Sequence, residues 1–91
     1  MERSEIIQTI FDELERTYAK HGRYQWSRHE FYAIMKEEVD KTWDAIKGDL
    51  DSGILTKEVI QVAAMCFRYL ETGDRYRSPN QVNSGDGISR A

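Results

Sequence analysis

The stretch SRHEFYAIMKEEVDKTWDAIKGD, residues 27–49, reads as one amphipathic helix that carries an acidic residue on its apolar side. Ser27 and Glu30 have the spacing of a capping box, in which the hydroxyl accepts from the Glu30 amide and the Glu30 carboxylate accepts from the Ser27 N–H. Trp26, just before the cap, is placed to act as a hydrophobic staple near Phe31 or Tyr32. At about 100° per residue, Phe31, Ile34, Met35, Val39, Thr42, Ala45 and Ile46 share one sector, which predicts a helix from about Arg28 to Leu50. Glu38 falls inside that sector. A carboxylate taken out of water without a partner costs several kcal/mol, so Glu38 must be protonated, paired with a base or bound to a cation. Arg28, Lys41 and Arg68 are the candidate bases, while Glu30, Glu37 and Asp44 recur at i, i+7, i+14 as a solvent-facing stripe.

The chain on either side reads as two more helices. Ser4 offers a cap for a first helix whose Ile6, Ile7, Ile10, Phe11, Leu14 and Tyr18 form an apolar stripe ending near Gly22. Asp51-Ser52-Gly53 has the composition of a turn. Thr56 then caps a third helix, with Val59, Val62, Ala63, Cys66, Phe67 and Leu70 as its core stripe and Gly73 as its stop. The expected fold is therefore all-α, a three-helix protomer in an antiparallel bundle. A domain of 91 residues buries only about 60% of the surface its unfolded chain exposes, so the bundle is expected to be completed by oligomerisation into a dimer or tetramer. The domain spans 1–73. Residues 74–91, polar, glycine-containing and without periodicity, are expected to form a disordered C-terminal tail.

Composition narrows the functional classes. The chain has 13 Lys plus Arg and 16 Asp plus Glu. Ten of the basic and fourteen of the acidic groups lie in 1–73, which leaves three and two for the tail. A folded part with net negative charge argues against nucleic acid as a partner, since such binders neutralise phosphates with a basic face. Cys66 is the single cysteine, which excludes an intramolecular disulfide and a cysteine zinc cluster and fits a reducing cytoplasm. No apolar run approaches the roughly 18 residues of a membrane span, and MERSEIIQT lacks a signal-peptide core. The expectation is a soluble cytoplasmic protein with no membrane partner.

Glu58 lies at the edge of the third helix's apolar stripe, in its expected first turn, where the helix dipole alone would favour it. Two antiparallel helices could also bring Glu38 and Glu58 together, and oxygen ligands from facing helices suit a hard cation such as Mg²⁺. A salt-bridged Glu38 in a structural network is the competing reading. Lys41, Lys57 and Arg68 are candidate phosphate contacts; Arg68 stands out because it interrupts the apolar run AAMCFRYL. Tyr24, Trp26 and Trp43 are candidate base-stacking or packing aromatics, His29 is a candidate base or a surface residue, and Met65 and Cys66 read as packing. No catalytic triad, glycine-rich phosphate loop or His/Cys metal spacing occurs.

At these residues the sequence resembles the MazG-like all-α nucleoside triphosphate pyrophosphohydrolases, most closely their short single-domain phage and bacterial members. SRHEFYAIMKEEVDKTWDAIKGD looks like that family's metal-binding helix and KEVIQVAAMCFRYLE like its partner helix, the likeness covering about residues 22–72. The resemblance implies Mg²⁺-dependent hydrolysis of (deoxy)nucleoside triphosphates to monophosphate and pyrophosphate. It implies metal ligands from an E-x-x-E pair and an E-x-x-D pair. Glu38 and Glu58 match the first member of each pair. Lys41 and Gln61 stand where the second glutamate and the aspartate would be. Lysine cannot ligate while protonated, and glutamine offers a neutral oxygen. Glu37 and Asp44 are the nearby substitutes, at angles away from Glu38. The expected site is thus Glu38, Glu58, Glu37 and Gln61 for the metal, with Lys41, Arg68 and Trp26, from the reading of the residues themselves, for the nucleotide. The alternative is a nucleotide- or protein-binding oligomer on the same scaffold that no longer hydrolyses.

Overall fold

The computed structural model describes residues 1–73, and the expected tail of 74–91 lies outside the described residues. Those 73 residues form three helices with no strand: α1 (Arg3–His21), α2 (Arg28–Lys47) and α3 (Ser52–Thr72). Their ends follow local chemistry. The capping box of α2 is formed, with the Glu30 N–H donating to Ser27 Oγ at 3.1 Å and the Ser27 N–H to Glu30 Oε1 at 2.8 Å. Gly22 and Gly73 stop α1 and α3 with φ of 83° and 85°, a region open to glycine and costly for a side chain.

Three of the expected boundaries are displaced. Ser4 is not a cap: α1 begins at Arg3, and its N-cap Glu2 makes no side-chain capping bond. Thr56 is not a cap either. Asp51 offers a carboxylate earlier, Oδ1 accepting from the N–H of Gly53 at 2.7 Å and of Ile54 at 3.2 Å, so the presumed turn becomes the first turn of α3. At its other end α2 stops at Lys47 rather than Leu50. The Leu50 N–H reaches back to Ala45 O and the Asp49 N–H to Ile46 O, both at 3.1 Å, the paired bonds of a Schellman closure. That closure puts Asp49, not Gly48, in the left-handed region at φ 52°.

The third helix is the centre of the molecule. Both α1 and α2 pack on α3, and they do not pack on each other. Phe31 stacks on Tyr69 at 4.2 Å between ring centroids and Met35 Sδ lies 3.9 Å from Cys66 Sγ, so α2 and α3 run antiparallel. Leu14, Tyr18, Trp26, Ala64 and Met65 form the buried core, with Ile10, Phe31, Ile34 and Met35 against it. The core stripe expected for α3 is corrected accordingly. A helix clamped on two flanks buries Ile60, Ala64, Met65 and Arg68, while Val59, Phe67 and Leu70 stay exposed. Phe67 instead packs edge-on against Phe11 at 5.0 Å.

Candidate functional site

Because α1 and α2 flank α3 without meeting, they leave a groove floored by α3. Its cavity, about 410 Å³, is lined from all three helices and the α1–α2 loop. Gln61, Met65 and Arg68 recur at i, i+4, i+7 along the floor; Ile34, Glu38 and Lys41 form the α2 wall. Glu13, Arg16, Thr17 and His21 form the α1 wall, and Tyr24 and Trp26 close the loop end. The structure thus brings Glu38, Gln61, Lys41, Arg68 and Trp26 into one cavity.

Glu37 and Glu58 are not among its lining residues. The Glu37 side chain is 71% exposed and lies 3.8 Å from Lys41 Nζ, on the outer side of α2 where its helical angle puts it. Glu58 is half-buried on α3. From Phe31–Tyr69 to Met35–Cys66, four residues forward along α2 match three back along α3. Continued, that register sets Glu38 level with Val62 and Thr42 level with Glu58, so the two carboxylates lie on facing helices about one turn apart.

The two ends of the groove have different chemistry. At the α2 end, Glu38 is 14% exposed and its Oε1 lies 3.4 Å from Lys41 Nζ. The sequence left three fates for this carboxylate, and one oxygen has taken the salt bridge. Its Oε2 is buried with no partner among the described residues, as is Glu58 Oε2. At the loop end, Arg68 is 2% exposed, a guanidinium inside the protein. It lies over the Trp26 ring at 4.0 Å, the Tyr24 ring at 5.1 Å and the Tyr18 ring at 5.6 Å. Its Nη2 donates to Tyr24 O at 3.3 Å, but Nε has no acceptor. Trp26, 3% exposed, likewise has a buried Nε1–H without an acceptor. Its ring is stacked at 6.2 Å on Phe31, as a staple residue would be.

Neighbouring charges are mutually satisfied. Glu13 takes Arg16 through Nε at 3.0 Å and Nη2 at 2.6 Å, and those bonds raise the guanidinium above its ordinary pKa. Behind Arg68, Tyr18 donates to Glu71 Oε1 at 2.8 Å, and Arg23 covers its ring at 3.9 Å. Burial, with Glu71 second, pushes the Tyr18 phenol up to about 12. Sequence reasoning missed the whole α1 wall. Glu13, Arg16 and His21 carry no motif; only their i, i+3, i+8 spacing beside the Leu14–Tyr18 stripe could have put them on the rim.

Trp43, Lys57 and His29 are exposed and outside this cavity. Among the described residues no three His, Cys, Asp or Glu side chains cluster as a ready-made metal cage. No described helix is long and apolar enough to cross a membrane. No protein-family model, curated protein or solved structure matches the chain.

Proposed function

We propose that the groove binds a nucleoside triphosphate and that Glu38 and Glu58 hold a Mg²⁺ for its hydrolysis to monophosphate and pyrophosphate. One observation carries the reading: two buried carboxylate oxygens, Glu38 Oε2 and Glu58 Oε2, belong to facing helices and have no partner among the described residues. Buried polar atoms are almost always satisfied, so two orphaned acceptors on facing helices about one turn apart support a cation between them. The set fits Mg²⁺ in particular, which keeps several waters and takes one or two carboxylates plus substrate phosphates rather than a full protein cage. When bound, the metal supplies neutralisation of phosphate charge and acidification of a water. The chain's own residues bind and orient. Gln61 adds a neutral oxygen on the floor, and Met65 and Ile34 add apolar surface to the floor and the α2 wall. Glu37, 3.8 Å from Lys41 Nζ and outside the groove lining, is left out of this ligand set.

The test is metal-dependent release of pyrophosphate from a panel of nucleoside triphosphates, with Glu38→Gln as control. Release by the wild type and its loss in Glu38→Gln support the reading. A specific observation favours a second reading, a nucleotide-binding protein without hydrolysis: Lys41 Nζ already sits 3.4 Å from Glu38, where an ammonium stands in for a metal. Nucleotide binding unaffected by Mg²⁺, with no pyrophosphate released, would decide for it.

The same reading includes self-association into a dimer or tetramer. Val39, Trp43 and Ile46 recur at i, i+4, i+7 on α2 and remain about half exposed, and Ile7, Phe11 and Phe67 are exposed on the α1–α3 side. Apolar faces of this kind are what an oligomer interface covers. Light scattering at tens of micromolar should give a multiple of 10.7 kDa; a monomer mass would remove this part.

A further inference from the structure

The loop end of the groove carries a feature that the carboxylate end does not explain. Two N–H donors, Trp26 Nε1 and Arg68 Nε, are buried without an acceptor, and both side chains line the same cavity. Arg68 is also the cavity's uncompensated cation. Glu13 is engaged by Arg16 and Glu38 by Lys41, and among the described residues no ion pair includes Arg68. The aromatic rings around it hold the guanidinium in place, but they accept no hydrogen bond from Nε. A structural role would be served more cheaply by an aliphatic side chain, because a buried charge without a counter-charge opposes folding. Flanked by three aromatic rings, and with the stacked Trp26 also carrying an unmatched N–H, the guanidinium offers the charge and donors that an anionic oxygen cluster accepts.

We infer that Arg68 and Trp26 form an oxyanion subsite at the loop end of the groove, which takes a phosphate group. The phosphate is either the far end of a triphosphate chain or a free phosphate or pyrophosphate. The inference rests on the proposed reading only in taking the ligand to be phosphorylated, and it needs no metal. Arg68 supplies charge and its Nε–H, and Trp26 supplies a neutral N–H that fixes one oxygen. His21, on the facing α1 wall, offers an imidazole to the same space, whereas the Thr17 hydroxyl already donates to Leu14 O at 2.7 Å.

Titration calorimetry of the full chain with inorganic phosphate, pyrophosphate and a nucleoside triphosphate, each in excess chelator so that no metal is present, tests the subsite. Trp26→Phe keeps an aromatic ring and deletes the donor, and Arg68→Lys keeps the charge and deletes the fork. Each should weaken binding about tenfold, the loss of one charge-assisted hydrogen bond. Binding of free phosphate and pyrophosphate would assign the subsite to the free ions, and binding of the triphosphate alone would assign it to the chain end. Helical circular dichroism confirms folding, and if Arg68→Lys fails to fold, Trp26→Phe decides alone. No metal-free binding of any of the three by the wild type, or equal affinity in wild type and Trp26→Phe, would overturn the inference. Glu38→Gln separates it from the hydrolytic reading. That variant should lose pyrophosphate release yet bind phosphate without metal as the wild type does.

Discussion

The two ends of one groove solve the problem of buried charge in opposite ways. At the α2 end an acid is buried and a lysine has come to it, leaving one oxygen of Glu38, and one of Glu58 beside the groove, without a partner among the described residues. At the loop end a base is buried and, among the described residues, no acid pairs with it. Aromatic faces and a single carbonyl surround Arg68, and two donors are left over. Leftover acceptors call for a cation and leftover donors for an anion, and a metal-bound phosphate ester presents both on one molecule. The contrast also assigns roles. A charge that has a protein partner serves the fold, and one that lacks it is a cost to folding with a use elsewhere.

The largest expected effect tests the acid end. Glu38→Gln keeps the shape of the side chain and removes its charge, so Mg²⁺-dependent hydrolysis should fall by about 100-fold or more, a scale set by the loss of transition-state charge stabilisation. Equal pyrophosphate release by the variant would place the metal elsewhere. Next comes the basic end. Arg68→Met fills nearly the same volume without a charge. In the absence of ligand it should raise stability by about 1 to 2 kcal/mol, while phosphate binding is lost. Urea unfolding measures the first and calorimetry the second. A clear loss of stability would mean that Arg68 is a structural cation and that the contrast is false.

Much of this arrangement was legible along the chain, and what was not has physical causes. The capping box at Ser27, the glycine stops and the sector holding Glu38 all depend on residues close in sequence, so the sequence states them directly. The start of α3 was read at Thr56 because Gly53 suggested a turn, yet a carboxylate cap at Asp51 outweighs one glycine in a first turn. The buried face of α3 depends on two partners at once, and periodicity assumes one. For that reason Arg68 looked like an interruption of a core stripe rather than the centre of one. The groove's α1 wall had no motif to announce it.

Smaller effects sharpen the picture. Asp49→Gly relieves the one non-glycine residue at positive φ among the described residues and should stabilise by about 1 kcal/mol without touching either end. An unchanged midpoint in urea would show that the aspartate bears its conformation at no cost. The Tyr18 effect is confined to alkaline pH. Its phenol is raised to about 12 in the fold, mainly by burial, above the ordinary value of 10.0. A raised pKa means that the folded state holds its proton longer, so this contribution is fully present below about pH 10 and is lost as pH rises toward 12. The thermal midpoint should decline across that window more steeply in wild type than in Tyr18→Phe. Parallel declines would remove the phenol from the account.

The most direct test of a groove with one cation-seeking and one anion-seeking end is a thermal-shift matrix. Wild type, Glu38→Gln and Trp26→Phe are each melted with Mg²⁺ alone and with pyrophosphate alone in chelator, since a ligand that binds the native state raises the midpoint by mass action. The expected result is a crossed pattern. Mg²⁺ stabilises wild type and Trp26→Phe but not Glu38→Gln, and pyrophosphate stabilises wild type and Glu38→Gln but leaves Trp26→Phe little changed. Identical shifts in all three proteins, or both responses lost together in either variant, would contradict it.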